Sequence, residues 1–216
     1  MAAHVARGVR GVKMKVGGAH GVDEDLRRAR SVREAIGPEV ALMVDANMGW
    51  DVHEAVRAGR ALVAPDIDAL WLEEPTLPED LDGMARVRAL GGGVALAMGE
   101  NLHTLYEFGA ALRRGVIDFP QPDASNIGGV TGWMKVAVLA QAHNLPCCSH
   151  GMQELHVSLV SAVPNGGWME IHSFPIDEYT TRPLVLDEAG RAVAPDEPGT
   201  GVVFDMAKLE PHRVPL

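Results

Sequence analysis

The stretch VRGVKMKVGGAHGVDEDLRRARSVREAIGPEVALMVDA, residues 9–46, decides the fold class because it holds a strand, a helix and a second strand in succession. The short, mostly apolar runs at 9–16 and 40–46 are typical of strands that are covered on both faces. Between them, four apolar residues recur at helical spacing: Val22, Leu26, Ala29 and Ile36. Gly37 and Pro38 end this helix. The stretch therefore predicts a βαβ unit with parallel strands.

The same alternation continues along the chain and predicts seven strands with a helix between each consecutive pair. The predicted strands are 9–16, 40–46, 69–72, 94–98, 116–119, 145–149 and 168–172. Repeated βα units are typical of a (β/α)8 TIM-type barrel, which usually takes about 250 residues. The chain has 216 residues. We therefore expect residues 1–174 to form a partial barrel and residues 175–216 to form a docking tail of the same domain, with a hairpin at 182–194.

The composition indicates an ordinary soluble globular chain and excludes several classes of function. Lys and Arg number 19 against 29 Asp and Glu, so the formal net charge is 19 − 29 = −10. Such a chain has no electrostatic attraction to nucleic acid or to an anionic membrane. No apolar run approaches the length of about eighteen residues that spans a bilayer. The two cysteines, Cys147 and Cys148, are adjacent, which favours a reducing, cytoplasmic compartment.

Ionisable residues recur at the predicted carboxyl ends of the strands, where parallel barrels place their active sites. In chain order they are Lys13 and Lys15, Asp45, Glu73, Glu100, Asp123, His150 and Glu170. From Lys15 onward, successive residues are 30, 28, 27, 23, 27 and 20 positions apart, about one βα unit each. We therefore expect these side chains to meet at one end of the barrel.

Each of these residues alone also fits a structural role. Asp45 fits a turn or a helix cap, and Glu73 with Glu74 fits a solvated loop. His150 fits a buried structural histidine. These separate structural roles do not explain the whole set, because burying several unrelated ionisable groups inside one barrel would cost a large amount of folding free energy.

Three carboxylates at consecutive strand ends would form an all-oxygen pocket: Asp45, Glu73 and Glu100. This donor set suits Mg²⁺ better than zinc, and the ion would in turn hold a substrate carboxylate. On one flank, Lys13 and Lys15 are expected to lower each other's pKa and so to supply a base. On the other flank, Asp123 would fix the tautomer of His150. Bases on both flanks of a bound carboxylate predict proton abstraction at its α-carbon.

Seven motifs occur in this order along the chain: VKMKVG, MVDAN, WLEEPTLPED, MGEN, QPDASNIGGVTGW, CSHGMQE and WME. From about Val9 to the C-terminus, the set resembles the mandelate racemase subgroup of the enolase superfamily. The resemblance implies an α/β, enolase-like modified (β/α)8 barrel, of which this chain carries strands 2–8. Members of the subgroup also carry an N-terminal α+β capping domain. We expect this chain to lack both that domain and the first barrel strand.

The resemblance also implies a role for each residue at the strand ends. The implied Mg²⁺ ligands are Asp45, Glu73 and Glu100. Two groups are implied in proton transfer on opposite faces of the substrate, namely Lys15 and the pair of His150 with Asp123. Lys13 would bind and polarise the substrate carboxylate, and Asn47 would lie near the metal and the substrate. Glu170, if protonated, would hydrogen-bond the developing enediolate oxygen.

The implied activity is Mg²⁺-dependent removal of the α-proton of a carboxylate through an enediolate. Most members with both lysines and a His–Asp pair dehydrate sugar acids, so we expect a hydro-lyase that makes a 2-keto-3-deoxy acid. The alternative is a racemase or epimerase of a 2-hydroxy acid that uses Lys15 and His150 as two bases. A third reading is a barrel fragment that is impaired without its cap. We expect a small carboxylate as the partner, no nucleic acid or membrane, and a homo-oligomer in the full-length form.

Overall fold

The computed structural model shows an α/β fold built on a parallel sheet, and it describes these residues: 1–172, 174 and 176–214. The strands of the sheet are β1 Gly11–Lys15, β2 Ala41–Asp45, β3 Ala69–Glu73, β4 Leu96–Met98 and β5 Phe119–Pro120. They are hydrogen-bonded in the order β1-β2-β3-β4-β5, and every neighbouring pair is parallel. Lys15 pairs with Asp45, and Asp45 pairs with Glu73. The βαβ unit predicted from residues 9–46 is confirmed.

Helices precede, connect and follow the strands of the sheet. Their bounds are α1 Ala2–Val5, α2 Val22–Ile36, α3 Val52–Leu62, α4 Leu81–Leu90, α5 Leu105–Arg114, α6 Val130–Ala142 and α7 Gln153–Ala162. Helices α2–α5 connect the consecutive strands of the sheet, α1 precedes β1, and α6 and α7 follow β5. Asp51 and Glu54 form a capping box at the start of α3, and Thr104 and Glu107 form another at the start of α5. These caps satisfy backbone N–H groups that have no partner within the helix. They therefore fix where each helix begins after its strand.

Two apolar cores lie on the two faces of the strands. The larger core lies between the strands and the helices and includes Leu42, Leu72, Phe108 and Trp133. The smaller core lies inside the curved sheet and consists of Met43, Trp71 and Ala97, packed with Phe119 and Trp168 among others. Side chains alternate along a strand, so a residue two positions after an inner one also points inward. Asp45 follows Met43 in this way, and Glu73 follows Trp71.

The sixth and seventh predicted strands, 145–149 and 168–172, are wrong as regular strands. The chain there keeps only isolated backbone links: the Cys147–Gly166 bridge, Cys148 N–H to the Pro120 carbonyl, and Ser149 N–H to the Trp168 carbonyl. Pro120 ends β5 and has no N–H, so it cannot donate to the segment beside it. The fourth and fifth strands are likewise shorter than the predicted 94–98 and 116–119.

The C-terminal part contains the predicted hairpin and short helical turns. Its elements are the 3₁₀ turns Ile176–Tyr179 and Glu210–His212, strands β6 Val185–Leu186 and β7 Ala192–Val193, and helix α8 Met206–Leu209. Strands β6 and β7 pair antiparallel, which confirms the hairpin. Position 175, where the tail is predicted to begin, lies outside the described residues. Among the described helices, none has the length and apolar character needed to cross a bilayer.

Candidate active site

The three predicted metal ligands meet at the carboxyl ends of adjacent strands. Asp45 and Glu73 are the last residues of β2 and β3, with 0% and 1% of their surface exposed. Glu100 follows β4 by two residues and is partly buried. One carboxylate oxygen from each residue lies within 4.8 Å of the other two. The solvated-loop reading of Glu73 and Glu74 is wrong, because both side chains are buried.

A glycine brings the fourth strand end close to the fifth. Gly99 has a φ of +147°, and a Cβ on it would lie 2.8 Å from the backbone of Gln121. Any side chain would therefore force the two segments apart, which is why glycine stands here. The next residue is Glu100, so this close approach decides where that carboxylate lies.

Lys13 lies among three carboxylates. Its Nζ is 2.6 Å from Glu73 Oε1, 2.9 Å from Glu170 Oε1 and 3.3 Å from Asp45 Oδ2. Burial lowers the pKa of Lys13, but the three carboxylates outweigh burial and raise that pKa above its usual value. The expectation that the two lysines lower each other's pKa is therefore wrong for Lys13. Lys15 is 55% exposed and donates a hydrogen bond to Asp45 Oδ2.

Glu73 accepts hydrogen bonds from two side chains besides Lys13. Trp71 Nε1 lies 3.1 Å and Gln121 Nε2 lies 3.0 Å from Glu73 Oε2. Burial raises the pKa of Glu73 to about 7, although Lys13 opposes the change. Trp71 and Gln121 are not among the site residues predicted from the sequence. The sequence indicates Trp71 only through its position two residues before Glu73, which places both residues on the same face of the strand. The signal for Gln121 was the same spacing before Asp123.

The side-chain amides of Asn47 and Asn101 lie beside the carboxylate of Glu100. Asn47 Nδ2 donates to Glu100 Oε1 at 2.8 Å, and its backbone N–H donates to Asp45 Oδ1 at 2.9 Å. Asn101 Nδ2 donates to the buried Glu74 Oε2 at 2.6 Å. Asn47, predicted near the metal, thus links two of the three carboxylates. Asn101 and Glu74 were missed, and their position next to the predicted ligands was the only signal in the sequence.

His150 and Asp123 form a direct pair. Asp123 Oδ2 lies 2.8 Å from His150 Nδ1, and Asp123 Oδ1 accepts from the N–H and the hydroxyl of Ser125 at 2.7 Å each. His150 Nε2 contacts Glu100 Oε2. Burial lowers the pKa of His150, but the hydrogen bonds with Asp123 and Glu100 outweigh it and raise the pKa to about 10. Burial raises the pKa of Asp123, but His150 and Ser125 together hold it below its usual range.

Glu170 lies between the two flanks of the site. Its Oε1 contacts Lys13, and its Oε2 accepts from the Gly151 N–H at 2.8 Å and lies 4.0 Å from His150 Nε2. Burial raises the pKa of Glu170, but Lys13 and the Gly151 N–H outweigh burial and hold the pKa below its usual value. The donor role implied for Glu170 requires a proton, whereas this geometry favours the carboxylate.

The charges of this cluster do not balance. Its five carboxylates are Asp45, Glu73, Glu100, Asp123 and Glu170. Its three cationic groups are Lys13, Lys15 and protonated His150. With all five carboxyl groups ionised, the sum is 3 − 5 = −2. The cluster therefore has the charge deficit and the oxygen donors that suit one divalent cation.

Comparisons with known proteins agree with this geometry. A cycloisomerase of 3,6-anhydro-alpha-L-galactonate from Streptomyces coelicolor is 46% identical over 205 residues, 95% of this chain and 55% of the relative. A solved racemase from Streptomyces coelicolor A3(2) with bound magnesium matches at a TM-score of 0.88 and 44% identity, over 96% of this chain and 57% of that one. An L-talarate dehydratase from Polaromonas sp. JS666, complexed with Mg and L-glucarate, matches at a TM-score of 0.86 and 33% identity, over 94% and 55%.

The chain thus spans a little more than half the length of these relatives. The sequence profile described as enolase C-terminal domain-like matches residues 1–208. The relatives are named as a cycloisomerase, a racemase and a dehydratase, and the predicted resemblance to the mandelate racemase subgroup is confirmed. The chain belongs to the enolase C-terminal domain-like family.

Proposed function

We propose that this chain carries the catalytic barrel of a Mg²⁺-dependent enzyme that removes the α-proton of a sugar acid. The single observation that carries the proposal is the group of three carboxylate oxygens within 4.8 Å of one another, flanked by Lys13 and Lys15 on one side and by His150 on the other. The deficit of two positive charges in the cluster supports one divalent ion.

The metal ligands would be Asp45, Glu73 and Glu100, all hard oxygen donors. Mg²⁺ in this site would neutralise the negative charge that builds on the substrate carboxylate as the α-proton leaves. Asn47 would orient two of the ligands, Glu100 through its side chain and Asp45 through its backbone N–H. The relatives solved with magnesium support this choice of ion.

The remaining residues would bind the substrate and move its protons. Lys13, the more buried lysine, would bind the carboxylate. Lys15, the more exposed lysine, would accept the α-proton when its own amine is neutral. His150, held by Asp123, would act from the other flank as the acid. Glu170 would keep Lys13 and the loop after His150 in place through its two oxygens.

Elimination is the reaction we favour. The α C–H bond breaks, its proton goes to Lys15, and the enediolate then expels the oxygen on the β-carbon, which takes a proton from His150. If that oxygen is a hydroxyl, water leaves and a 2-keto-3-deoxy acid forms after tautomerisation. If it is the bridging ether of an anhydro sugar acid, the ring opens and the product is an isomer of the substrate. The relatives named as a dehydratase and a cycloisomerase support these two outcomes.

Racemisation or epimerisation is the second candidate. It is favoured by proton-carrying groups on both flanks of the carboxylate cluster, because one side chain can remove the α-proton and the other can return it to the opposite face. The solved relative named as a racemase supports this candidate. Elimination and racemisation share the first proton transfer and differ in the fate of the β-oxygen.

Proton exchange in D₂O tests the proposal. The chain is incubated with Mg²⁺ and a panel of sugar acids and anhydro sugar acids, and the α-proton signal is followed by NMR. We expect exchange that Lys15→Ala reduces strongly and that the exposed control Lys135→Ala leaves unchanged. His150→Ala should mainly reduce product formation, because His150 acts after the α-proton has left. A 2-keto-3-deoxy product identifies elimination, and an α-epimer identifies racemisation. Absence of exchange with every acid would contradict the proposal.

A further inference from the structure

A second histidine, outside the carboxylate cluster, connects the loops that carry His150 and Asp123. His156 lies in the first half of α7 and has no exposed surface. Its Nδ1 is 2.7 Å from the Gly151 carbonyl oxygen, and its Nε2 accepts from the Ala124 N–H at 3.1 Å. Gly151 directly follows His150, and Ala124 directly follows Asp123. The imidazole ring of His156 therefore bridges the backbone of the residue after His150 and the backbone of the residue after Asp123.

The hydrogen bonds of His156 require one tautomer. The carbonyl of Gly151 can only accept, so Nδ1 must carry the proton, and the Ala124 N–H can only donate, so Nε2 must be bare. A neutral ring with the proton on Nδ1 satisfies both neighbours. Burial lowers the pKa of His156, which agrees with a neutral ring. Because the His156 ring hydrogen-bonds to Gly151 and to Ala124 at once, it fixes the distance between the loop that carries His150 and the loop that carries Asp123.

The loop after His150 has an unfavourable backbone conformation, which the hydrogen bond with His156 helps to stabilise. Gly151 and Met152 are consecutive residues with positive φ, at +53° and +41°. For Met152 this conformation is unfavourable by about 1 kcal/mol. Gly151 is held on both sides, because its N–H donates to Glu170 and its carbonyl accepts from His156. Without His156, nothing among the described hydrogen bonds holds that carbonyl.

We propose that His156 is a positioning residue that holds the Asp123–His150 pair in its reactive geometry by bridging the Gly151 carbonyl and the Ala124 N–H. The idea rests on the proposed function, in which His150 transfers a proton. His156 itself does not touch the carboxylate cluster, and it acts only through the two loops. A displacement of about 1 Å at a proton-transfer group lowers the rate by roughly 100-fold. We expect this loss to lower kcat and to leave Mg²⁺ binding unchanged.

Three substitutions separate the two links. An Asn side chain places its amide nitrogen near the Nδ1 position, so His156→Asn keeps the link to Gly151 and loses the one to Ala124. His156→Gln places its amide oxygen near Nε2 and does the reverse, while His156→Leu loses both. Val157→Ala, a buried change on the same helix, is the control for general destabilisation.

The kinetic arm measures product formation, which includes the proton transfer from His150, at matched folded fractions. We expect His156→Leu to lower kcat by roughly 10- to 100-fold, with KM changed by less than about twofold and the Mg²⁺-dependent thermal shift retained. His156→Asn and His156→Gln should lie between His156→Leu and the wild-type chain. If all three match Val157→Ala, the proposal is overturned.

The spectroscopic arm does not depend on activity and therefore separates this proposal from the proposed function. In the chain labelled with ¹⁵N-histidine, we expect His156 to show a protonated Nδ1 and a bare Nε2 at neutral pH. We also expect both His156→Asn and His156→Gln to shift the ring resonances of His150 more than Val157→Ala does. The opposite tautomer, or His150 resonances no more affected than in the control, would refute the bridging role even if the wild-type chain showed no exchange.

Discussion

Removal of the charge on Lys13 should destabilise the folded chain strongly in the absence of metal. Lys13 is the only cationic partner of Glu73 among the described ion pairs, and Glu73 is 1% exposed. Lys13→Met keeps most of the side-chain volume and removes the ammonium group. Glu73 would then have only Trp71 and Gln121 as donors, and Asp45 and Glu170 would also lose the ammonium group that they contact.

The expected loss follows from the protonation of Glu73. With Lys13 present, its pKa is already raised from 4.5 to about 7, so keeping it ionised above pH 7 costs about 3 kcal/mol. Removing one partner of a buried pair typically costs about 3–5 kcal/mol. At low pH the penalty disappears, because Glu73 takes up a proton. A carboxyl group with a raised pKa binds protons more readily in the folded state, so the stability of the variant should rise as the pH falls from 8 towards 4.5.

Urea unfolding in EDTA, at pH 7.5 and at pH 5, measures this effect. We expect Lys13→Met to lose about 3–5 kcal/mol at pH 7.5 and clearly less at pH 5. Lys135→Met, at an exposed position of α6, should stay within about 0.5 kcal/mol at both values. A loss below about 1 kcal/mol at pH 7.5, or an equal loss at both pH values, would refute the electrostatic reasoning.

Three further predictions concern the site and its support. The folded pKa of His150, about 10, exceeds its unfolded value of about 6.5, so in EDTA its contribution to stability is present below pH 6.5 and is lost as the pH rises through 10. His150→Gln should remove this pH dependence from urea unfolding, and an unchanged dependence would contradict it. Arg33 donates to four backbone carbonyls between 37 and 68, so Arg33→Ala should cost about 2–3 kcal/mol by urea unfolding, and Arg33→Lys should recover only part of it. Gly99→Ala should weaken Mg²⁺ binding, measured by titration calorimetry, because its Cβ would displace the segment that carries Glu100. Gly115→Ala has a positive φ but open space, and it should leave binding unchanged.

The regular spacing along the sequence was enough to predict the sheet and the meeting of the strand ends. Asp45 and Glu73 end β2 and β3 as predicted, because each βα unit returns the chain to the same edge of the sheet. The capping boxes and the glycine after α2 likewise act within a few residues and can be recognised locally. These features depend on neighbours in the sequence.

Features that depend on distant residues were not predictable from the sequence. The pKa of Lys13 is decided by carboxylates 32 to 157 positions away, and these outweigh its neighbour Lys15. Glu74 was read as part of a solvated loop, but the segment after β4 buries it against Asn101. The strand at 145–149 was overpredicted because the pattern of apolar residues does not show that Pro120, in the neighbouring strand, lacks the N–H group that would pair with it.

Binding of Mg²⁺ tests the central claim most directly, because every proposed ligand belongs to the described part of this chain. Titration calorimetry of the wild-type chain should give one Mg²⁺ per chain. Asp45→Asn, Glu73→Gln and Glu100→Gln should each abolish that binding, whereas Glu54→Gln, which alters only the cap of α3, should retain it. Binding that survives substitution of all three carboxylates, or no binding by the wild-type chain, would contradict the account.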